Sequence, residues 1–200
     1  MILELRRQML DAGANPLGWK LGFGAPAAME KLGIDTPLVG FLTDRTLLPD
    51  GATAHVGDWV KPMLEAEVAV RVGPGGAIDG YAVAIELADV DPPPEDADAI
   101  LAGNIFHRHV LVGPVHETAA GLEATLARDG EPLDRTDQPT ALTGEYADLV
   151  GVVGEAVGDA LRPGDVIITG SIFAPLPVEP GQTITVEVAP LGSLTVAIDA

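Results

Sequence analysis

The chain has 200 residues, 30 acidic and 11 basic, with a formal net charge of -19, 4% aromatics and no cysteine. Such a surface repels nucleic acid and anionic lipid, which need Lys and Arg clusters, and so few aromatics give no platform for stacked bases. Without cysteine there is no disulfide, thiolate metal site or cysteine nucleophile.

The length suits a single domain over 1–200, and an apolar content of 47% excludes a disordered chain. The opening "MILELRRQMLDAG" mixes apolar and charged residues and lacks the apolar run of a signal peptide. No stretch reaches the roughly 18 uncharged apolar residues of a membrane span, so a cytoplasmic protein without membrane or nucleic-acid partners is expected.

In chain order, residues 2–11 predict a short helix with Ile2, Leu5, Met9 and Leu10 on one side, within an N-terminal segment 1–16. "GWKLGFG" at 18–24 reads as a strand around Lys20, and "APAAMEKLGI" as a short helix ending at Gly33. "VKPMLEAEVAVRV" reads as a central strand closed by "GPGG" at 73–76, followed by a second strand, "GYAVAIELADVD", at 80–91. The run "PPP" predicts a stop, with acidic residues after it to open a helix. "HVLVGPVHET" is read as a strand, and "GLEATLARDGEPLDRTD" as a hairpin turning on Asp129-Gly130. Residues 144–165 predict the longest helix, with Leu149, Val153, Ala156, Val157 and Ala160 on its apolar face. Gly151, Gly154 and Gly158 imply that this helix closely approaches a neighbour, because glycine within a helix otherwise costs about 1 kcal/mol. The C-terminal third is β-rich, with turns at Pro180-Gly181 and Leu191-Gly192.

Side chains two apart on a strand share a face, so Glu65 and Glu67 point the same way. On the two carboxylates alone, a solvated strand face is the better reading. Three features favour a site: the apolar flanks of this strand, Glu86 within the next apolar strand, and a tight turn that would set the two strands side by side. Three glutamates without a neighbouring Cys or His ligand form an all-oxygen set, which suits Mg²⁺ or Mn²⁺. Lys20 is either a surface lysine or a pocket group able to move protons. His107 and His109 share a strand face if that segment is extended, but they read better as structural or exposed residues than as ligands, with His107 also a candidate pocket residue.

"GWKLG" at 18–22, "AAMEKLGIDTPLVGFLTD" at 27–44, "KPMLEAEVAV" at 61–70, "AIELAD" at 84–89, "LRPGDVIITGS" at 161–171 and "VEPGQTITVEVAPLGSLTV" at 178–196 occur in a telling order. The series resembles the fumarylacetoacetate hydrolase superfamily, in its branch of 2-keto-4-pentenoate hydratases and 4-oxalocrotonate decarboxylases, over nearly the whole chain. The resemblance implies a β-rich α+β fold with a twisted, partly closed β-structure and a few flanking helices. It implies Glu65, Glu67 and Glu86 as ligands of Mg²⁺ or Mn²⁺, Lys20 in the pocket where it can move a proton, Asp44 as a second proton-transfer candidate, and Thr169, Gly170 and Ser171 against the substrate carboxylate; His107 is a substrate-pocket candidate in which this chain diverges from the family. The activity implied is a metal-dependent lyase acting on a small 2-oxo acid through an enolate, in aromatic-compound catabolism, as a homo-oligomer. Decarboxylase, C–C hydrolase and non-catalytic binding protein are the alternatives. The pattern is broken where Asp91 replaces an arginine, and where Gly103 and Phe106 replace an aspartate and a serine.

Overall fold

The computed structural model describes residues 1–91 and 95–200, so the proline stop expected at 92–94 lies outside the described residues. Among the described residues, twelve strands and four α-helices run in the order α1 (Ile2–Asp11), β1 (Pro16–Gly22), α2 (Pro26–Leu32), β2 (Leu38–Thr43), β3 (Thr53–His55), β4 (Pro62–Val72), β5 (Ile78–Asp89), α3 (Ala97–Ala102), β6 (His107–Val112), β7 (Glu123–Arg128), β8 (Glu131–Thr136), α4 (Tyr146–Val157), β9 (Val166–Ser171), β10 (Leu176–Pro177), β11 (Thr183–Ala189) and β12 (Gly192–Asp199). The larger sheet has the order β2-β1-β9-β4-β5-β6, with β10 also paired to β4, and the smaller sheet has the order β3-β12-β11-β7-β8.

Period-two alternation on β4 and β5 divides their side chains between two environments. Leu64, Ala66, Val68, Val83, Ile85 and Leu87 pack against Val186, Leu194, Val196 and Leu126 of the smaller sheet to form the main core. The opposite face carries Glu65, Glu67 and Glu86 among small residues, with Ala69, Ala82 and Ala84 packed against Leu42, Val110 and Ile168. On β1, Trp19 and Leu21 instead join Leu149, Val150, Val153 and Val157 of α4 in a second core. Trp19 Nε1 donates to Asp165 Oδ2 at 2.9 Å, which holds the indole on the helix side. Lys20, between them, faces the other way. Gly18 lets β1 lie against β9: a Cβ there would fall 1.8 Å from the Val166 carbonyl oxygen.

The turn at Asp129-Gly130 forms with both residues left-handed (φ 55° and 84°), which suits a two-residue hairpin. The glycines of α4 do not mark a close approach within the chain. A Cβ on Gly151 would meet open space and one on Gly154 only an ordinary contact, while Gly158 ends the helix at φ 54°. The buried face also differs from the expected one: Val150 is buried and Ala156 exposed. No helix among the described residues is long and apolar enough to cross a membrane.

Candidate active site

Glu65 of β4 lies directly opposite Glu86 of β5 in the antiparallel ladder, so the two carboxylates share a face, and Glu67 follows on that face two residues along. Glu67 and Glu86 are fully buried. Like charges this close cannot remain bare in a water-poor environment, and the surrounding groups divide among them.

Glu86 receives most of the support. Its Oε1 accepts from Lys20 Nζ and, at 2.7 Å, from His107 Nδ1. Burial pushes this carboxyl up, but the Lys20 charge and the His107 hydrogen bond outweigh it and hold Glu86 below the usual carboxylate range. A carboxylate only accepts, so Nδ1 carries the proton; burial pushes the imidazole pKa down, leaving His107 Nε2 to accept from the Thr46 hydroxyl at 2.9 Å. Glu65 Oε2 accepts from the Ser171 hydroxyl, and Glu67 Oε2 from Gly170 N at 2.6 Å. Burial, followed by the charge of Glu86, pushes both Glu65 and Glu67 up. Glu67 Oε1 is buried without a hydrogen-bond partner.

That orphan oxygen is where a hard cation would be accommodated. Three carboxylates, with no thiolate or other soft donor among them, suit Mg²⁺ or Mn²⁺. Among the described residues no three Asp, Glu or His side chains close round a common point as they stand. Lys20 and Ser171 each engage one oxygen of Glu86 and Glu65, and the second oxygen of each carboxylate is not held by them.

Lys20 is seated by backbone features that residue patterns do not reveal. Its Nζ also donates to the Ile105 carbonyl at 3.1 Å. That carbonyl belongs to three consecutive left-handed residues, Asn104, Ile105 and Phe106 (φ 51°, 54° and 61°), an uncommon conformation for bulky side chains. Asn104 holds the turn in place: its side chain accepts from Phe41 N and donates to Phe41 O, each at 2.9 Å. Gly40 lies opposite Lys20 on β2, where a Cβ would come within 2.8 Å of both the lysine stem and the Asn104 amide. Only the Gly103-Asn104 pair hints at this turn in the sequence.

Lys20, Glu65, Glu86, Gly170 and Ser171 line a cavity of about 490 Å³ whose remaining wall is mostly apolar. Glu67 is buried on the same strand face as Glu65 but is not among the lining residues, and the remaining expected site residues lie elsewhere. Thr169 turns away from the cavity and donates to Val68 O at 2.8 Å, filling the irregularity where the β4–β9 register shifts between Glu67 and Ala69. Asp44 is exposed and is not among the residues lining the cavity. Its carboxylate accepts from Asn15 N and Nδ2 at 2.9 and 2.7 Å, tying β1 to the end of β2. His107 and His109 do not share a strand face: the β5–β6 register shifts so that His107 pairs with Ala88 and His109 with Leu87, on opposite sides. His107 therefore reaches Glu86, while His109 stacks on Trp59 with ring centroids 5.9 Å apart.

A 4-oxalocrotonate decarboxylase from Pseudomonas putida is 27% identical over 96% of this chain and 81% of its own length. A 2-keto-4-pentenoate hydratase from Burkholderia vietnamiensis is 28% identical over 91% of this chain and 78% of its own. The solved structure of 4-oxalocrotonate decarboxylase from Pseudomonas putida G7, complexed with magnesium and adipate, superposes with a TM-score of 0.84 at 28% identity, covering 98% of this chain and 83% of that one. The sequence model described as fumarylacetoacetate (FAA) hydrolase C-terminal matches residues 21–199, and the chain belongs to that family.

Proposed function

We propose that the protein is a divalent-metal-dependent lyase acting on a small 2-oxo acid, of the 2-keto-4-pentenoate hydratase type. The observation that carries this reading is the buried Lys20–Glu86 pair with Glu65 at the polar end of an otherwise apolar cavity, and Glu67 buried next along the same strand face. Glu65, Glu67 and Glu86 would hold Mg²⁺ or Mn²⁺, in keeping with the magnesium in the decarboxylase structure. When bound, the ion supplies a Lewis acid for the carboxylate and 2-oxo oxygens of the substrate and offsets the negative field of the chain.

The protein's own residues do the rest. The Ser171 hydroxyl and the Gly170 backbone orient the two glutamates of β4 and border the space for the substrate carboxylate. Lys20 is the proton carrier: its ammonium, fixed by Glu86 and the Ile105 carbonyl, stands at the cavity wall and can deliver or take the proton exchanged as the 2-oxo acid and its enol interconvert. The apolar wall limits water to what the reaction requires. A decarboxylase would use the same groups, and its support is the 27% identity to the decarboxylase. We further assign the protein to the cytoplasm as a homo-oligomer.

The deciding experiment is a screen of 2-oxo acids and their dienols with Mg²⁺ or Mn²⁺, following loss of the dienol's ultraviolet absorbance. Turnover without carbon dioxide release identifies the hydratase, and release identifies the decarboxylase. Metal affinity without any turnover would leave a binding protein.

A further inference from the structure

Beyond the carboxylates, the cavity wall contains two aromatic residues with unusual backbones. Phe23 and Phe106 both line it, both have left-handed φ (59° and 61°), and their rings lie 6.3 Å apart, tilted by 60°. Left-handed conformations are unfavourable for bulky residues and tend to persist where they place a side chain for function. The two Phe residues come from separate segments, one after β1 and one before β6, and meet at the same wall. Met63, Val90, Leu142 and Phe173 extend this apolar lining, and Leu142 is otherwise an exposed leucine. The two lysines in the lining are differently placed: Lys20 is committed to Glu86 and the Ile105 carbonyl, and Lys61 is solvent-exposed.

We infer that the wall formed by Phe23 and Phe106 is a specificity subsite for an apolar tail, so the preferred substrate is a 2-oxo acid ending in an alkyl, alkenyl or aryl group and not in a second carboxylate. This rests on the 2-oxo acid reading and refines it. A second carboxylate among these rings would lose its hydration without gaining a buried partner cation. An apolar tail loses nothing on entering, and a cavity of about 490 Å³ has room for one longer than that of a five-carbon acid.

The test is calorimetric binding to the full chain with Mg²⁺ present, using pyruvate as the head group alone, then 2-oxohexanoate, 2-oxooctanoate and 2-oxoadipate. 2-Oxohexanoate should bind more tightly than 2-oxoadipate, and affinity should rise by roughly fourfold for each added methylene. Phe106→Ser should flatten that rise with chain length when affinities are referred to pyruvate. Tighter binding of 2-oxoadipate, lost in Lys61→Ala, would overturn the inference in favour of a subsite for a second carboxylate. A flat series with pyruvate still bound would also overturn it, while sparing the 2-oxo acid reading. No binding of any member, pyruvate included, would remove both. The wild-type series decides the matter even if Phe106→Ser fails to fold.

Discussion

Glu65 and Glu86 face each other across the β4–β5 ladder, yet only Glu86 has a lysine and a histidine on its carboxylate. The asymmetry makes one carboxylate a stable anion and leaves Glu65 and Glu67 short of positive charge.

Without metal, Glu65 and Glu67 titrate above the ordinary carboxylate value of 4.5 because burial and the Glu86 charge disfavour their ionised forms. The folded state therefore holds protons that the unfolded state has released. Stability from these groups is complete below that value and is lost as pH rises from it toward the folded-state values. Melting in a chelator between pH 4 and 8 should show this loss, and Mg²⁺ at about 100 times its dissociation constant should restore roughly 2.7 kcal/mol. Glu67→Gln should reduce both the pH loss and the Mg²⁺ effect. Equal Mg²⁺ stabilisation in this variant would remove Glu67 from the ligand set.

Lys20→Met keeps the apolar stem and deletes the ammonium. It leaves a buried Glu86 without its cation, so the metal-free protein should lose about 3–5 kcal/mol. Saturating Mg²⁺ should recover much of that loss, while turnover should stay lower by roughly 10²–10⁴-fold. Chemical denaturation with and without Mg²⁺, set beside turnover at saturating metal, separates the two effects.

His107→Leu removes one of the two donors to Glu86 Oε1. Metal affinity should fall by roughly 10–100-fold, the usual effect of losing a hydrogen-bond partner behind a ligand. Thr46→Val should produce a smaller change in the same direction, because Thr46 acts only through Nε2 of His107. Titration calorimetry with Mn²⁺ measures both.

Asp44→Asn should leave turnover and metal affinity at wild-type values, since the side chain is engaged with Asn15. A large loss of turnover with unchanged folding would return Asp44 to the proton-transfer machinery.

Light scattering across a wide concentration range should show a mass above that of the 20.6 kDa chain. A constant monomer mass would remove the homo-oligomer.

Period-two alternation was enough to read the strands bearing Glu65, Glu67 and Glu86 from the sequence, and the short turn between them made the pairing legible. Lys20 was legible as a polar interruption in an apolar strand. Beyond the Gly103-Asn104 pair the left-handed turn at 104–106 was not legible, because Ile and Phe carry no signature of a positive φ. The separation of His107 from His109 was equally hidden, since a single register shift reverses a face without altering residue types. In α4 the pattern misled: its glycines line no close contact within the chain.

Strand β4 serves two environments at once, with Leu64, Ala66 and Val68 in the core between the sheets and Glu65 and Glu67 on the opposite face. Sliding it by one residue would drive two carboxylates into hydrocarbon and turn three apolar side chains toward the polar end of the cavity. A version of this centre displaced by a single residue is therefore not accessible. The carboxylates inherit their positional accuracy from the hydrophobic core behind them, so a cavity-forming change such as Val68→Ala, remote from any substrate, should blur the ligand geometry as well as lower the melting temperature.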